Sequence, residues 1–312
     1  MSESAASWSR RDIDIPLPDG VRLSGWHYAQ ADSGRPVIVM SHGFGAVKTM
    51  QLDLIAEAFA AAGFNCVVYD HRNFGTSGGE PRNHIDPWQQ VADCREVVTF
   101  VRNMGGVDGT RLGIWGSSYS GGHALVMGGT DRRIRAVVSQ GATISGHRTS
   151  LRRFPGDSWG RMAQKFAADR DAVFKGAPMA TGAMMPDVKA EDIARNDLSI
   201  DEARPGNSSA DWVRATPPEK LKSWDNRLTL RSLELYRTYE PGAFVAQISP
   251  TPLLMITTDN DTVTPTDEIL AAYNRALEPK RLVILQGGHC DLYAFRRKEA
   301  VAAALTFYQE FL

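Results

Sequence analysis

Along most of this chain, short unbroken apolar runs alternate with segments whose apolar positions recur every three or four residues. Residues 36–41, 65–69, 111–115 and 134–139 are runs of the first kind and read as buried strands. Segment 50–62 places Met50, Leu54, Ala58 and Phe59 on one helical face, and 88–103 does the same with Val91, Val97, Val98 and Val101. Another helix opens at Tyr119. The rhythm resumes at strand 252–257, helix 266–276, strand 281–285 and helix 294–312. Strands that are apolar throughout need cover on both faces. Strands alternating with helices therefore predict an α/β fold, with a mostly parallel central sheet and helices on both faces. Ahead of this pattern, residues 11–28 alternate apolar with polar around Leu17-Pro18-Asp19-Gly20, which predicts a hairpin of 12–16 with 21–28.

The rhythm stops between Gly141 and Ala246. Segments 157–168 and 187–196 look helical, and 224–239 reads as an amphipathic helix carrying Leu228, Leu230, Leu233, Leu235 and Tyr236. The pattern predicts a core of 1–143 and 247–312 with a largely helical cap, 144–246, inserted between its halves. Neither junction has linker composition, so the cap is expected to pack on the core. Trp159, Phe166, Phe174, Met179, Met184, Met185, Trp212 and Trp224 supply the cap's own core, with two or three of them facing a pocket. Gln51-Leu52-Asp53 and Asp131-Arg132-Arg133 read as surface features. Arg152-Arg153 reads as a solvated pair rather than as a receptor for an acidic substrate group.

The candidate chemistry lies at strand ends. Gly113-Ile114-Trp115-Gly116-Ser117-Ser118-Tyr119-Ser120-Gly121-Gly122 is a strand end, a turn of very small residues and a helix start. Such a turn exposes the hydroxyl of Ser118 at a helix N-terminus, where backbone N–H groups favour developing negative charge. Ser120 stands where a second glycine is usual. A serine nucleophile needs a base, and the base needs a carboxylate to fix its tautomer. His289 follows Gly287-Gly288 after the last strand. Asp259, Asp261, Asp267 and Asp291 are the acids nearby. Asp267 falls inside a predicted helix start, and Asp291 follows His289 too closely to orient it easily.

In this order (strand, His42-Gly43-Phe44-Gly45, serine turn, acid loop, histidine) the chain resembles the α/β-hydrolase superfamily. The run Asp70-His71-Arg72-Asn73-Phe74-Gly75-Thr76-Ser77 matches that family's Asp-x-Arg-x-x-Gly-x-Ser loop. The form of the serine turn is similar to the X-Pro dipeptidyl-peptidase-like and dienelactone-hydrolase-like branches, and to some fungal polyketide acyltransferases. The resemblance covers roughly residues 20–145 and 247–312. It implies a Ser118, His289, Asp261 triad, because Asp261 begins an Asp-x-x-x-Pro acid loop and Asp259 does not. It also implies that the oxyanion is held by the backbone N–H groups of Phe44 and Tyr119.

Composition adds exclusions. The chain has 312 residues, is 43% hydrophobic and carries a formal net charge of −1. That gives no basic field for nucleic acid or a membrane surface. The first residues lack an apolar signal core, so the expected location is cytoplasmic. Cys66, Cys94 and Cys290 form no disulfide or zinc pattern, and Cys290 is read as a bystander beside His289. No cofactor and no metal are expected, and the oligomeric state is left open, a homodimer included. The expected activity is serine hydrolysis of an ester, thioester or activated amide of a small, largely apolar substrate. Acyl transfer to a bound acceptor is the alternative, with short-peptide hydrolysis and non-catalytic binding behind it.

Overall fold

The alternation of side chains along each central strand decides the layering. In the computed structural model, which describes residues 8–193 and 199–312, β3 (Arg35–Ser41) sends Val37 and Val39 to one face and Ile38 and Met40 to the other. β4 (Asn65–Tyr69) divides Val67 and Tyr69 from Cys66 and Val68 in the same way. Both faces are therefore apolar, and both are covered by helices. On one side lie α1 (Leu52–Ala61) and α10 (Arg297–Phe311). On the other lie α2 (Pro87–Arg102), α3 (Tyr119–Thr130) and α9 (Thr266–Arg275).

The sheet has eight strands. β1 (Trp8–Pro16) and β2 (Arg22–Gln30) form the expected hairpin, and β2 adds antiparallel to β4. From β4 onward the pairing is parallel, through β3, β5 (Val107–Ser117), β6 (Ile134–Gln140), β9 (Leu253–Thr258) and β10 (Lys280–Leu285). The edge strand β1 exposes Arg10, Arg11, Asp12 and Asp14, which discourages pairing with another chain.

Between β6 and β9 come α4 (Gly146–Arg153), α5 (Ser158–Phe174), β7 (Thr181–Ala183), α6 (Ala190–Ile193), α7 (Ser209–Arg214), β8 (Arg227–Thr229) and α8 (Leu230–Arg237). The single helix expected over 224–239 is thus a short strand followed by a helix. β8 pairs antiparallel with β7, and this tertiary pairing outweighs the local helical pattern. Of the helix expected over 187–196, only one turn, α6, lies among the described residues. Gln51 and Asp53 are also not surface residues. Gln51 donates to Thr216 Oγ1 at 2.6 Å and accepts from Trp212 Nε1 at 2.6 Å, while Asp53 pairs with Lys220 at 2.6 Å. Asp131 is buried against Arg133, and Arg132 donates to the carbonyls of Gln247 and Ile248. No helix among the described residues is long and apolar enough to cross a membrane.

Beneath the carboxyl ends of the strands, His42, His71 and His123 are buried together. Ring centroids are 4.6 Å apart for His42 and His71 and 5.5 Å for His71 and His123. Burial pushes all three below the ordinary histidine range, His123 to about 3, so they are neutral in the fold. Unfolding returns each to a pKa near 6.5, so as pH falls below that value the unfolded chain binds protons the folded chain refuses. Stability should then drop by up to about 1.4 kcal/mol per pH unit for each such histidine. Thermal unfolding between pH 7 and 4 should show a falling Tm, and His123→Gln should flatten that slope. Equal slopes in both proteins would mean that His123 accepts a proton within the fold.

Candidate active site

β5 enters α3 through Ser118, whose backbone has φ 53° and ψ −119°. Such a conformation costs about 1–3 kcal/mol in a non-glycine residue and persists only where the surroundings impose it. Here the Ser118 N–H donates to the Gln140 carbonyl at 2.7 Å, and its carbonyl accepts from the N–H of Gly121 and Thr143, both at 3.0 Å. Gly116 is required because a Cβ there would stand 1.9 Å from the Ser120 carbonyl oxygen.

The loops after β9 and β10 meet at this turn. Ser118 Oγ lies 3.1 Å from His289 Nε2, and His289 Nδ1 lies 2.7 Å from Asp261 Oδ2. Asp261 Oδ1 accepts from the N–H of Val263 at 2.9 Å and Thr264 at 2.8 Å, and Thr264 Oγ1 lies 2.8 Å from Oδ2. A carboxylate filled with donors in this way keeps the His289 proton on Nδ1, which leaves Nε2 free to face Ser118. The other three carboxylates are engaged elsewhere. Asp259 accepts from the Gly287 N–H at 2.9 Å, Asp267 pairs with Arg152, and Asp291 accepts from Gly206 and Gly288, bracing the histidine loop from below. Cys290 is buried, and burial pushes its thiol up, away from the reactive thiolate.

The loop after β3 crosses directly over the serine, since a Cβ on Gly43 would sit 3.1 Å from Ser118 Cβ. Among the described residues, the N–H groups of Phe44 and Tyr119 find no acceptor within the protein, and both residues line the cavity that holds Ser118. Ser120 ties the two segments together. Its hydroxyl donates to the His42 carbonyl at 2.5 Å and accepts from His71 Nε2 at 2.9 Å. The His71 N–H in turn donates to His42 Nε2 at 3.2 Å, which puts the His42 proton on Nδ1, 3.0 Å from the Gly43 carbonyl. The residue that departs from the usual glycine thus links the serine turn to the loop above it.

Other contributors could not be read from the chain alone. Asn207 Oδ1 accepts from the N–H of both His289 and Thr262 at 3.0 Å, and its Nδ2 donates to the Asn260 carbonyl, so one side chain joins the acid and histidine loops. Trp224 Nε1 donates to the Gly45 carbonyl at 3.1 Å, and Met184 packs where a Gly45 Cβ would project. The cavity is partly open to solvent. Phe44, Tyr119, Phe154, Trp159, Phe166 and Tyr236 give it aromatic walls. Of the aromatic residues expected to build the cap's core, Trp159 and Phe166 line it, Trp212 and Trp224 are buried outside its lining, and Phe174 points to solvent. Short-peptide hydrolysis would call for a carboxylate to hold the peptide amine, and Asp157, Asp169, Asp171 and Glu234 are not among the lining residues. Glu234 is paired with Arg170. Among the described residues, no three His, Cys, Asp or Glu side chains are grouped as a metal site would require.

Residues 36–294 match the family model of the α/β hydrolase fold. A thiohydrolase of Eupenicillium brefeldianum is 28% identical over 300 residues, covering 96% of this chain and 93% of that protein. A polyketide transferase of Penicillium sp is 30% identical over 291 residues, covering 92% of each. The crystal structure of the α/β hydrolase GrgF from Penicillium sp. sh18 superposes with a TM-score of 0.79 at 26% identity, covering 97% of this chain and 99% of that one.

Removing the Ser120 hydroxyl should loosen the loop over Ser118 without unfolding the protein. Ser120→Ala is expected to slow Ser118 labelling by a fluorophosphonate, and to lower kcat on a p-nitrophenyl ester, by roughly ten- to a hundred-fold. KM should change little. Wild-type kcat in Ser120→Ala would reduce the hydroxyl to a packing element.

Proposed function

The chain belongs to the α/β-hydrolase family, and from that premise we propose that it cleaves a carboxylic ester or thioester through an acyl-enzyme on Ser118. The observation that carries this reading is the line from Ser118 Oγ to His289 Nε2 and from His289 Nδ1 to Asp261, at the floor of an aromatic cavity. His289 takes the Ser118 proton as the hydroxyl attacks the acyl carbonyl. The Asp261 carboxylate stabilises the resulting imidazolium. The amides of Phe44 and Tyr119 receive the oxyanion, and the α3 N-terminus adds its positive end. Collapse expels the alcohol or thiol with the proton held on His289. Water, activated by the same histidine, then releases the acid.

The insertion between β6 and β9 acts as the cap. Its helices α4, α5 and α8 supply much of the cavity wall, which suits a compact, largely apolar group better than a long lipid. A second reading has a specific support. Relatives carry the names thiohydrolase and polyketide transferase alike, so the acyl group on Ser118 can end on water or on an organic acceptor. The chemistry up to the acyl-enzyme is common to both.

Fluorophosphonate should label the wild type and not Ser118→Ala, with the modified peptide identified by mass spectrometry. Labelling retained at Ser117 or Ser120 would displace the nucleophile. Asp261→Asn should lower kcat by roughly three to four orders of magnitude through loss of the tautomer, whereas Asp259→Asn should stay near wild type. Short p-nitrophenyl esters should turn over faster than palmitoyl ones. Running a short thioester with and without added alcohols or amines, and resolving the products by chromatography, separates the two fates. A transferred product that outgrows free acid at millimolar acceptor would identify a transferase.

A further inference from the structure

Helix α4 carries three arginines on two different faces. Arg148 and Arg152, one turn apart, both turn to α9: Arg148 pairs with Glu268 at 2.7 Å, and Arg152 with Asp267 at 2.5 Å and Glu268 at 3.3 Å. Arg153 points the other way. With Thr149 and Ser150 it lines the cavity that holds Ser118. Both members of the pair are exposed, as expected, but Arg152 is engaged in an ion-pair network while Arg153 borders the site. Among the described residues Arg153 has no carboxylate within ion-pair distance. It is also the one charged residue in the lining, where every other side chain is apolar or bears a hydroxyl. Its charge reaches the cavity wall. Burial raises the Tyr236 hydroxyl, and the bond to Thr143 and the Arg153 guanidinium partly oppose that rise. Tyr236 meets Phe44 edge to face, with ring centroids 5.2 Å apart, so this wall adjoins the loop over Ser118.

We propose that Arg153 binds an anionic group, a carboxylate or a phosphate, carried by the substrate whose acyl group Ser118 receives. The proposal rests on the acyl-enzyme reading and narrows it to a negatively charged ester or thioester. Arg153 is exposed at the cavity wall, and a guanidinium pairs with planar or tetrahedral oxyanions through two N–H groups at once. A cation with no carboxylate partner in an otherwise uncharged lining selects for such an anion. The anion has two possible places. It can end a short acyl chain, as in a half-ester of a diacid, or it can sit on the thiol leaving group as a phosphate monoester.

Two matched pairs separate these sources: p-nitrophenyl butyrate against mono-p-nitrophenyl glutarate, and S-butyryl pantetheine against its 4′-phosphate. Each is assayed with the wild type, Arg153→Met and Arg153→Lys. The expected result is that Arg153→Met raises KM for the charged member of one pair at least tenfold more than for its neutral partner, with Arg153→Lys recovering part of the loss. The pair that responds tells which end of the substrate carries the charge. Parallel losses within both pairs, or a wild type that favours the neutral member of each, would overturn the proposal. Fluorophosphonate labelling of Ser118 is followed in the same samples. If the wild type neither labels nor hydrolyses p-nitrophenyl butyrate, the acyl-enzyme reading falls and takes this proposal with it.

Discussion

Ser118 bears the constraint on which the rest of the site depends. Its positive φ turns β5 into α3 within one residue and lifts the hydroxyl clear of the sheet. Side chains rarely adopt that conformation, so it must be held from outside, and the hydrogen bonds to Gln140 and Thr143 do this from the end of β6 and the segment after it. Those contacts exist only if β5 and β6 pair in their observed register, with Ser117 opposite Gln140. The register in turn follows from Leu112, Ile114, Val137 and their neighbours filling two separate helical layers. A local strain at one serine is thus supported by packing spread across the whole sheet.

Much of the core was legible because its signals are local. Continuous apolar runs mark strands with two covered faces, and the small residues around Ser118 mark the turn. The acid and histidine loops lie where strands end. Asp261 was separable from Asp259 by the resemblance of its loop, and the structure brings Asp261 rather than Asp259 to His289. Segment 224–239 shows where local reading fails. Leu228 and Leu230 are two apart, a strand spacing, while Leu230 and Leu233 are three apart, a helical one, and only pairing with Thr181–Ala183 decides between them. The placement of Ser120, Asn207 and Arg153 was hidden for the same reason. Each depends on atoms far away in sequence: the His42 carbonyl, the two loops after β9 and β10, and the carboxylates of α9 that engage Arg152 and leave Arg153 aside.

The histidines under the site illustrate a related economy. Neutral imidazole both donates and accepts, so His42 and His71 can fix loop positions in a place where a charged side chain would be costly. Lys48 and Asp70, also buried, form an ion pair nearby, at 2.7 Å, and the Asp70 carboxylate additionally receives the N–H of Lys48 and Thr76. Loops that must stay rigid beneath a reacting centre are held here by polar contacts, because apolar packing alone does not specify where a carbonyl points.

Asn207 has a consequence for how such enzymes diversify. It belongs to the segment between β6 and β9, yet its amide spans the two loops that carry Asp261 and His289. The region that shapes the cavity is therefore not an interchangeable module resting on a finished catalyst. Grafting in another family member's insertion would exchange the cavity walls and at the same time remove a brace from the loops that carry Asp261 and His289. A chimaera that carries an amide side chain back to this one position would keep that brace.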